Sequence, residues 1–425
     1  MHIPPSEIFK AYDIRGEVGR TLTAEGVTAI ARAVAAAARA AGHTRMVLGR
    51  DGRLSSLEFA AAATAGLRAG GVDVLDIGEV TTPMSYFAAY HLDTGCALMV
   101  TGSHNPPGDN GLKIVIRHAA LSGAEIRALR QRLLDNDLSE GQGTLEHVDI
   151  AAAYQARIVA DIHLARPLHL VLDAGNGIAG AYAPALFRAL GCSVEPLYCE
   201  VDGHFPHHHP DPSVPTNLGD LIARVRATGA DLGLAFDGDG DRLGVVTRDG
   251  RILYPDRLLM PLAADVLARH PGARVLYDIK STRLLDAWIR EHSGEPEIWR
   301  TGHSVMKARM RETGALLGGE LSGHVYFAER WYGFDDGLYA GARLLETLAP
   351  HADASAVLNA LPQAISTPEL HVRLGEGGAA ALLARLGDPT VRAARFTGAT
   401  RILDIDGLRV EYPDGFGLVR ASNTT

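Results

Sequence analysis

The segment RMVLGRD at Arg45–Asp51 is the first of three short apolar runs that decide the fold. The runs LHLVLDAG at Leu168–Gly175 and ARVLYDI at Ala273–Ile279 follow the same pattern. After each comes a helical stretch and then a second apolar run, which is CALMVTG, ADLGLAFDG or GALLGGE. Strand-like runs that alternate with helical stretches are typical of α/β proteins with mixed or parallel sheets. The sequence therefore predicts three related α/β domains.

Each second run leads directly into a loop rich in glycine and polar residues. The loops contain TGSHNPP from Thr101, DGDGDR from Asp237 and GGELSGH from Gly318. Ligands of α/β proteins bind where strands end in loops. We therefore expect each predicted domain to contribute one loop to a shared site.

The C-terminal region differs from the three repeats. From about Ser366, the segments HVRLGE, TRILDIDGLRVEY and GLVRAS alternate polar and apolar residues, as antiparallel strands do. This alternation predicts a fourth, smaller α+β domain. We place the four predicted domains at residues 1–149, 150–252, 253–365 and 366–425.

The overall composition argues against several classes of protein. Of the 425 residues, 47% are hydrophobic and 21% are charged, an ordinary balance for a globular protein. No apolar run approaches the roughly 18 residues of a membrane span, and the opening residues MHIPPSEIF do not resemble a signal peptide. A net charge of −9 argues against nucleic-acid binding, and three cysteines without CxxC spacing favour a reducing compartment. We therefore expect a cytoplasmic protein that binds neither nucleic acid nor membrane.

Lysine is unusually rare in this chain. Only four of the 41 basic residues are lysines, namely Lys10, Lys113, Lys280 and Lys307. A buried amine can lose its proton, whereas a guanidinium effectively cannot. The remaining lysines are therefore candidates for positions that require an amine, although chance explains them equally well when they are considered alone.

Ser103 follows a predicted buried strand and precedes His-Asn-Pro-Pro, in which two prolines stiffen the loop. Its hydroxyl could serve as a covalent carrier if a base or a metal activates it. A polar turn that closes a strand–helix unit explains the same residues when the loop is considered alone.

The loop DGDGDR alternates carboxylates with glycines, so Asp237, Asp239 and Asp241 can turn towards one hard cation. Mg²⁺ prefers a few carboxylates together with phosphate oxygens. A calcium EF-hand begins similarly but requires Gly at position six and Glu at position twelve, where this chain has Arg242 and Arg248. An EF-hand is therefore excluded, and an acidic hairpin without a ligand is the alternative. Arg242 beside a metal suits a phosphate ligand.

Two further loops offer weaker signals. Glu320 and Ser322 in GELSGH could bind two vicinal sugar hydroxyls, although an ordinary polar turn has the same composition. The segment RASNTT at Arg420–Thr425 offers a guanidinium, hydroxyls and N–H groups for a phosphate, and a frayed polar terminus is the alternative.

Two other motifs suggest different chemistry. GNGIAG at Gly175–Gly180 matches a dinucleotide fingerprint, with Glu195 and Glu200 near the expected ribose-binding position, but a tight strand-to-helix turn explains the same glycines. A histidine cluster could bind zinc, although the surrounding prolines favour a structured surface loop. The cluster consists of His204, His207, His208 and His209.

Taken together, six motifs resemble those of the α-D-phosphohexomutase family, most closely its bacterial phosphomannomutase/phosphoglucomutase branch. In the family's order they are FKAYDIRG (Phe9–Gly16), TGSHNPP, DGDGDR, TGHSVMK (Thr301–Lys307), GELSGH and RASNTT. They span essentially the whole chain. The resemblance implies four domains around a central cleft, three of them similar α/β units, which agrees with the repeats.

The resemblance also implies roles for individual residues. It makes Ser103 the phosphorylated residue and Lys113 the general base. With the serine phosphate, the implied Mg²⁺ ligands are Asp237, Asp239 and Asp241. Further implied active-site residues are Arg15, His104, Arg242 and His303. The implied substrate-binding residues are Tyr12, Lys280, Gly302, Glu320, Ser322, His324, Arg420, Ser422, Asn423 and Thr424.

The activity that the resemblance implies is the interconversion of hexose 1-phosphate and hexose 6-phosphate, with mannose or glucose as the sugar. Phosphorylated hexoses are the implied ligands, a hexose 1,6-bisphosphate the intermediate and activator, and a monomer the expected state. Family members continue beyond the SNT segment, whereas this chain stops at Thr425, so we expect an incomplete fourth domain.

Three alternatives remain at this point. A phosphoglucosamine mutase uses a similar serine and metal loop, but usually with ASHNP and GEQSGH. A dinucleotide-dependent oxidoreductase would use Gly175–Gly180. A non-catalytic sugar-phosphate binding protein would keep the cleft without the chemistry, and the intact Ser103, Lys113 and aspartates argue against it.

Overall fold

The structure is a computed structural model of the chain. It describes residues 2–367, 369–375 and 377–421. The first sheet has seven strands: β1 (Ile14–Glu17), β2 (Arg45–Arg50), β3 (Asp73–Glu79), β4 (Ala97–Val100), β5 (Asp109–Ile116), β6 (Ala119–Ala120) and β7 (Leu145–His147). Its helices are α1 (Ala24–Ala40), α2 (Ser56–Ala69), α3 (Thr82–His91) and α4 (Ala124–Asp135), after a short 3-10 helix at Ser6–Ile8.

The second sheet has five strands: β8 (His169–Asp173), β9 (Ser193–Leu197), β10 (Leu232–Phe236), β11 (Leu243–Thr247) and β12 (Ile252–Leu253). Around it lie α5 (Ala151–Asp161), α6 (Ala183–Ala189), α7 (Gly219–Thr228) and 3-10 helices at Ile178–Ala181 and Pro215–Leu218.

The third sheet has four strands: β13 (Arg274–Asp278), β14 (Glu295–Trp299), β15 (Leu317–Gly319) and β16 (Val325–Phe327). Its helices are α8 (Pro255–Arg269), α9 (Leu284–Glu291), α10 (His303–Thr313), α11 (Gly337–Leu348) and α12 (Ala354–Asn359). The last region contains α13 (Gly378–Gly387), α14 (Pro389–Arg395), β17 (Arg401–Leu403), β18 (Leu408–Glu411) and β19 (Phe416–Val419).

The first three sheets contain the same four-stranded arrangement. The strand orders are β3-β2-β4-β5, β9-β8-β10-β11 and β14-β13-β15-β16. In each, the first three strands are parallel and the fourth is antiparallel to its neighbour. The fourth sheet, β17-β18-β19, is antiparallel throughout. The predicted fold class, three mixed α/β domains and a smaller fourth domain, is thus confirmed, while the domain boundaries stay predictions.

Each repeat also contains two strands that the sequence pattern missed. The strands β3, β9 and β14 lie between the two predicted runs, and the antiparallel strands β5, β11 and β16 follow them. β9 and β14 contain Pro196 and Pro296 and lie at the ends of their sheets. A proline cannot donate to a strand ladder, so it is tolerated on an edge strand but obscures the apolar pattern. The prediction of a strand at HVRLGE was wrong, because residues 371–375 form none.

The core connects the first three domains. On β2, Met46 and Leu48 face a cluster that belongs to the first domain and packs under α1 and α2. Val47 faces the opposite side, because successive strand residues alternate between the two faces. It belongs to a cluster that continues through the second and third domains. A common core therefore fixes these three domains relative to one another.

The fourth domain is attached differently. Among its described residues, the buried side chains are Leu408, Arg409 and Val410. The guanidinium of Arg409 donates to the carbonyls of Ile279 and Ser281, at 2.7 Å each. Polar contacts, rather than a shared apolar core, thus hold this domain against the third. Within the described part of the chain, every helix is too short or too polar to cross a membrane.

A buried carboxyl links α5 to the third domain. Asp336 caps the N-terminus of α11 by accepting from the backbone N–H of Tyr339 at 2.9 Å, and it accepts the hydroxyl of Tyr154 at 2.8 Å. Burial raises the pKa of Asp336 from its ordinary value of 3.8 to about 7. Between these values the folded state holds a proton that the unfolded state has released, so stability falls as the pH rises through this range and levels off above pH 7.

We therefore expect Asp336→Asn to gain in melting temperature relative to wild type as the pH rises from 5 to 8. The full pKa difference corresponds to roughly 4 kcal/mol. Differential scanning calorimetry at several pH values measures the effect. The matched control is Asp353→Asn, which removes a carboxylate that caps another helix, α12, and is measured under the same conditions. A melting-temperature offset of Asp336→Asn from wild type that does not change with pH would contradict the prediction.

Candidate active site

The candidate site lies where equivalent strands of the three sheets end. Ser103 follows β4, the aspartate loop joins β10 to β11, and the Glu320 loop joins β15 to β16. Each of β4, β10 and β15 is parallel to the first strand of its repeat, so their carboxyl ends lie at equivalent edges. The structure brings these loops together. Ser103 Oγ lies 3.0 Å from Asp237 Oδ2, and Arg242 forms an antiparallel β-bridge with His324.

Ser103 is held in an unusual backbone conformation. Its φ is +47°, in the left-handed region that L residues rarely adopt, and it is buried. Its backbone N–H donates to Thr101 Oγ1 at 2.8 Å, and its hydroxyl lies 3.3 Å from His104 Nδ1. Such strain persists only where the surroundings enforce it, and it clusters at functional sites. The conformation directs the hydroxyl towards the aspartate loop.

The three aspartates form a compact group of buried carboxylates. Asp237, Asp239 and Asp241 are fully buried, and one oxygen from each lies within 4.8 Å of the others. One oxygen of Asp239 and one of Asp241 have no hydrogen-bond partner. Burial, followed by the charges of the two neighbours, raises the pKa of Asp237 well above its usual range. Uncompensated carboxylate oxygens in a buried cluster fit a hard divalent cation.

Lys113, on β5, compensates part of this negative charge. Its Nζ lies 2.7 Å from Asp239 Oδ2 and 2.5 Å from Asp241 Oδ2. Burial alone would lower the pKa of Lys113, but the two carboxylates outweigh it and raise the pKa well above the ordinary value. The lysine is therefore an ammonium in this arrangement, and a role as a base requires that the attraction of the carboxylates be weakened.

Two arginines add positive charge on other sides of the site. Arg242 Nε donates to His324 Nε2 at 3.1 Å and lies 3.8 Å from Asp237 Oδ2. Arg15, on β1, donates to Asp13 at 2.8 Å. Burial and then these two guanidinium groups lower the pKa of His104 well below its usual range. The imidazole beside Ser103 is consequently neutral.

The third domain contributes a rigid polar loop. Glu320 is buried and accepts the backbone N–H of Gly302 at 2.6 Å as well as the hydroxyl of Tyr326. Burial raises its pKa. Ser322 Oγ is buried without a hydrogen-bond partner. A fixed carboxylate beside an unsatisfied hydroxyl is a suitable arrangement for binding vicinal sugar hydroxyls.

The Thr301–Lys307 motif forms the loop before α10 and its first turn. Gly302 has a φ of +132°, and a Cβ there would lie 2.5 Å from the ring of Tyr12, so the position requires glycine. The hydroxyl of Tyr12 donates to the carbonyl of Thr301 at 2.7 Å. His303 follows as the first residue of α10, with both ring nitrogens buried and unpartnered, and burial lowers its pKa well below its usual range.

His324 connects the aspartates to a second ion pair. Its Nδ1 lies 3.0 Å from Asp335 Oδ2 and 3.5 Å from Asp241 Oδ1. Asp335 in turn pairs with Lys307 at 2.7 Å. Because Nε2 accepts the N–H of Arg242, Nδ1 carries a proton and faces the two carboxylates without hydrogen-bond geometry to either. Asp335 was not predicted from the sequence, since no motif marks the segment that contains it.

The fourth domain contacts the Thr301 segment. Arg420 donates to Asp406 at 3.1 Å, and the same carboxylate accepts the backbone N–H of Thr301 at 3.1 Å. Lys280 pairs with Glu369 at 2.8 Å rather than with the central cluster. The predicted phosphate-binding residues Ser422, Asn423 and Thr424 lie outside the described residues.

Sequence reasoning missed Asp51 and Arg53, which follow β2. Both are buried, and Arg53 donates to four backbone carbonyls of the Ser103 loop. The available signal was position, because β2 ends at the same sheet edge as β4. Among so many arginines, however, residue type alone did not distinguish this one.

The dinucleotide and zinc motifs have other roles in the structure. A Cβ on Gly177 would lie 2.9 Å from Gly238, and one on Gly180 would lie 2.3 Å from the carbonyl of Cys199, so these glycines allow close backbone packing. His208 contacts Asp173 at 3.1 Å, and His209 donates to the carbonyl of His104. In the described ranges, the four histidines do not form a group that could hold a metal.

Comparison with known families supports the resemblance directly. Residues 6–139, 150–250 and 254–365 match the models for phosphoglucomutase/phosphomannomutase alpha/beta/alpha domains I, II and III, respectively. A phosphoglucomutase of Neisseria gonorrhoeae is 54% identical over 422 residues, which cover 99% of this chain and 91% of the relative. A phosphomannomutase/phosphoglucomutase of Pseudomonas aeruginosa is 53% identical, with 99% and 90% covered.

A solved structure agrees over nearly the whole chain. The crystal structure of a phosphoglucomutase/phosphomannomutase family protein from Burkholderia thailandensis superimposes with a TM-score of 0.94 at 54% identity. The match covers 99% of this chain and 92% of that one. With three matched domain models and relatives above 50% identity, the chain belongs to the phosphoglucomutase/phosphomannomutase family.

Proposed function

We propose that this protein interconverts hexose 1-phosphate and hexose 6-phosphate through a phosphoserine at Ser103 and a hexose 1,6-bisphosphate intermediate. Membership of the family makes it a hexose phosphate mutase, an isomerase. The observation that supports Ser103 as the carrier is its position, 3.0 Å from Asp237 and 3.3 Å from a neutral His104. A phosphate on this hydroxyl would lie among the cations of the site.

The aspartate group fits a divalent metal, and we propose Mg²⁺. The ligands would be Asp237, Asp239 and Asp241 together with the serine phosphate. The unpartnered oxygens of the buried carboxylates support this assignment. When bound, the cation would neutralise charge on the transferring phosphoryl group, which is a main catalytic device in phosphoryl transfer.

The protein's own groups would then act as follows. Arg420 and the residues after it bind the substrate's existing phosphate, while Glu320 and Ser322 bind sugar hydroxyls. Lys113 removes the proton from the free hydroxyl of the sugar. The oxygen of that hydroxyl attacks the phosphorus of the phosphate on Ser103 and displaces Ser103 Oγ. Arg15 and Arg242 stabilise the charge of the equatorial oxygens. The bisphosphate then reverses its orientation and returns the other phosphate to Ser103.

The mechanism predicts that Ser103→Ala loses kcat by about 10³-fold or more, because alanine lacks the hydroxyl that carries the phosphoryl group. The assay is coupled turnover of glucose 1-phosphate and of mannose 1-phosphate with Mg²⁺ and trace hexose 1,6-bisphosphate. Ser193→Ala, at an exposed serine at the start of β9, serves as the matched control. Near-normal activity of Ser103→Ala would contradict the assignment of Ser103 as the carrier.

The metal assignment predicts a binding defect that can be measured without turnover. We expect Asp239→Asn to weaken Mg²⁺ binding by about tenfold or more, since it removes a charged ligand. Isothermal titration of protein stripped with EDTA reports the affinity. Asp135→Asn, at the exposed end of α4, should bind like wild type. Equal affinities of Asp239→Asn and wild type would exclude Asp239 as a ligand.

The role of Lys113 as a base predicts that Lys113→Arg lowers kcat by about 10²–10⁴-fold, because a guanidinium keeps its proton. Arginine preserves the positive charge beside the carboxylates, so Mg²⁺ affinity should change little. Steady-state kinetics and metal titration separate the two effects, with Lys10→Arg as the control. If Lys113→Arg retains its turnover, the position needs only a charge and the base lies elsewhere.

A further inference from the structure

The loop that carries Ser103 wraps around the buried guanidinium of Arg53, for which the proposed mechanism has no role. Arg53 is 3% exposed and lies three residues after the end of β2. Its Nη1 donates to the carbonyls of Pro106 at 2.6 Å and Asp109 at 2.9 Å. Its Nη2 donates to the carbonyls of Ser103 at 2.8 Å and Asn105 at 2.6 Å. All four terminal N–H bonds are therefore used by one loop, Ser103–Asp109.

The guanidinium is itself fixed from three sides. Asp51 Oδ2 lies 3.3 Å from Nε, and the ring of Phe205, from the second domain, lies 5.1 Å from Cζ. Gly102 passes so close that a Cβ there would lie 2.3 Å from Cζ. A planar group with this many contacts has little freedom to change its orientation.

Asp51 extends the same support to the serine itself. Its Oδ2 accepts Thr101 Oγ1 at 2.7 Å and the backbone N–H of Gly102 at 3.1 Å. Thr101 Oγ1 then accepts the backbone N–H of Ser103. Arg53 thus donates to the carbonyl of Ser103, and Asp51 fixes the N–H of Ser103 indirectly, through the hydroxyl of Thr101. Both backbone polar groups of the strained residue are thus fixed by one buried ion pair.

This arrangement answers a specific structural need. A residue at a φ of +47° relaxes unless its surroundings enforce the conformation, at a cost of about 1–3 kcal/mol. The four carbonyls converge on one buried guanidinium, which supplies a donor to each of them. A lysine offers one compact point charge and cannot bond four divergent carbonyls as a planar fork does.

We propose that Arg53 is a positioning residue for phosphoryl transfer, which fixes the Ser103–Asp109 backbone so that Ser103 Oγ stays within reach of the aspartate group. The proposal rests on the proposed carrier role of Ser103. Arg53 contacts no atom assigned to the substrate, so it acts on kcat and not on substrate binding. A displacement of reacting atoms by about 1 Å can cost about 10²-fold in rate.

The test compares Arg53→Lys with Arg45→Lys, an exposed arginine at the start of the same strand. We expect Arg53→Lys to lower kcat by about 10²-fold with KM for the hexose phosphate within about twofold, and Arg45→Lys to match wild type. Phosphorylation of Ser103 by hexose 1,6-bisphosphate, followed by intact-protein mass, should slow in parallel. In Arg53→Ala, added guanidinium chloride should raise kcat, whereas sodium chloride at the same concentration should not.

A second variant tests the positioning role of Arg53 if the Arg53 variants do not fold. Gly102→Ala keeps Arg53 but introduces a Cβ against its guanidinium, and the same loss of kcat is expected. Normal kcat in Arg53→Lys or in Gly102→Ala, or a rise in KM alone, overturns the proposal. Active Ser103→Ala would instead overturn the carrier role itself. Inactive Ser103→Ala with fully active Arg53→Lys would overturn only the role of Arg53.

Discussion

The requirement that most constrains this structure is compensation of the three buried carboxylates of the aspartate loop. Buried carboxylates are stable only with nearby positive charge and hydrogen-bond donors. The first domain supplies Lys113 and, through Thr82, a hydroxyl 2.5 Å from Asp239 Oδ2 and an N–H to the carbonyl of the same residue. The third domain supplies the N–H of Gly337 to the carbonyl of Gly240. The loop therefore belongs to the second domain in sequence but depends on all three for its stability, and this dependence brings the three repeated strand ends to one place.

The division of labour between the domains follows from how they are attached. The first three share a continuous apolar core, so the distances between Ser103, Asp237 and His324 are set by close packing. The fourth domain is held by polar bonds such as those of Arg409, and interfaces of this kind permit relative motion by default. In the proposed mechanism, the reacting groups must stay fixed while the substrate phosphate is presented at either end. The groups proposed to react lie on the shared core, and Arg420, proposed to bind the substrate phosphate, lies on the domain with the weaker attachment.

The sequence predicted the parts of this site that have distinctive composition. Apolar runs ending in glycine-rich loops identified β4, β10 and β15 correctly, because buried parallel strands are continuously apolar. Lysine scarcity singled out all four lysines; Lys113 and Lys307 pair with buried carboxylates, whereas Lys280 pairs with the exposed Glu369. The edge strands β9 and β14 were missed, because proline and glutamate mask their apolar pattern. Arg53 was missed for the opposite reason, since arginine accounts for all but four of 41 basic residues and its type carries little information here. What distinguishes Arg53 is that it donates to four backbone carbonyls, which come together only in the folded loop.

Lys113 shows how the same contact can serve stability and chemistry in turn. Beside two carboxylates it must be an ammonium, which balances the aspartate loop but leaves no lone pair to accept a proton. A divalent cation on the same carboxylates would weaken their attraction for the ammonium, and the pKa of Lys113 would fall accordingly. The lysine would therefore become a competent base only in the metal-bound state, in which a phosphoryl group can also be transferred. Arginine could compensate the charge but could not make this change. In the proposed mechanism, that difference accounts for a lysine on β5 in a chain that otherwise uses arginine almost everywhere.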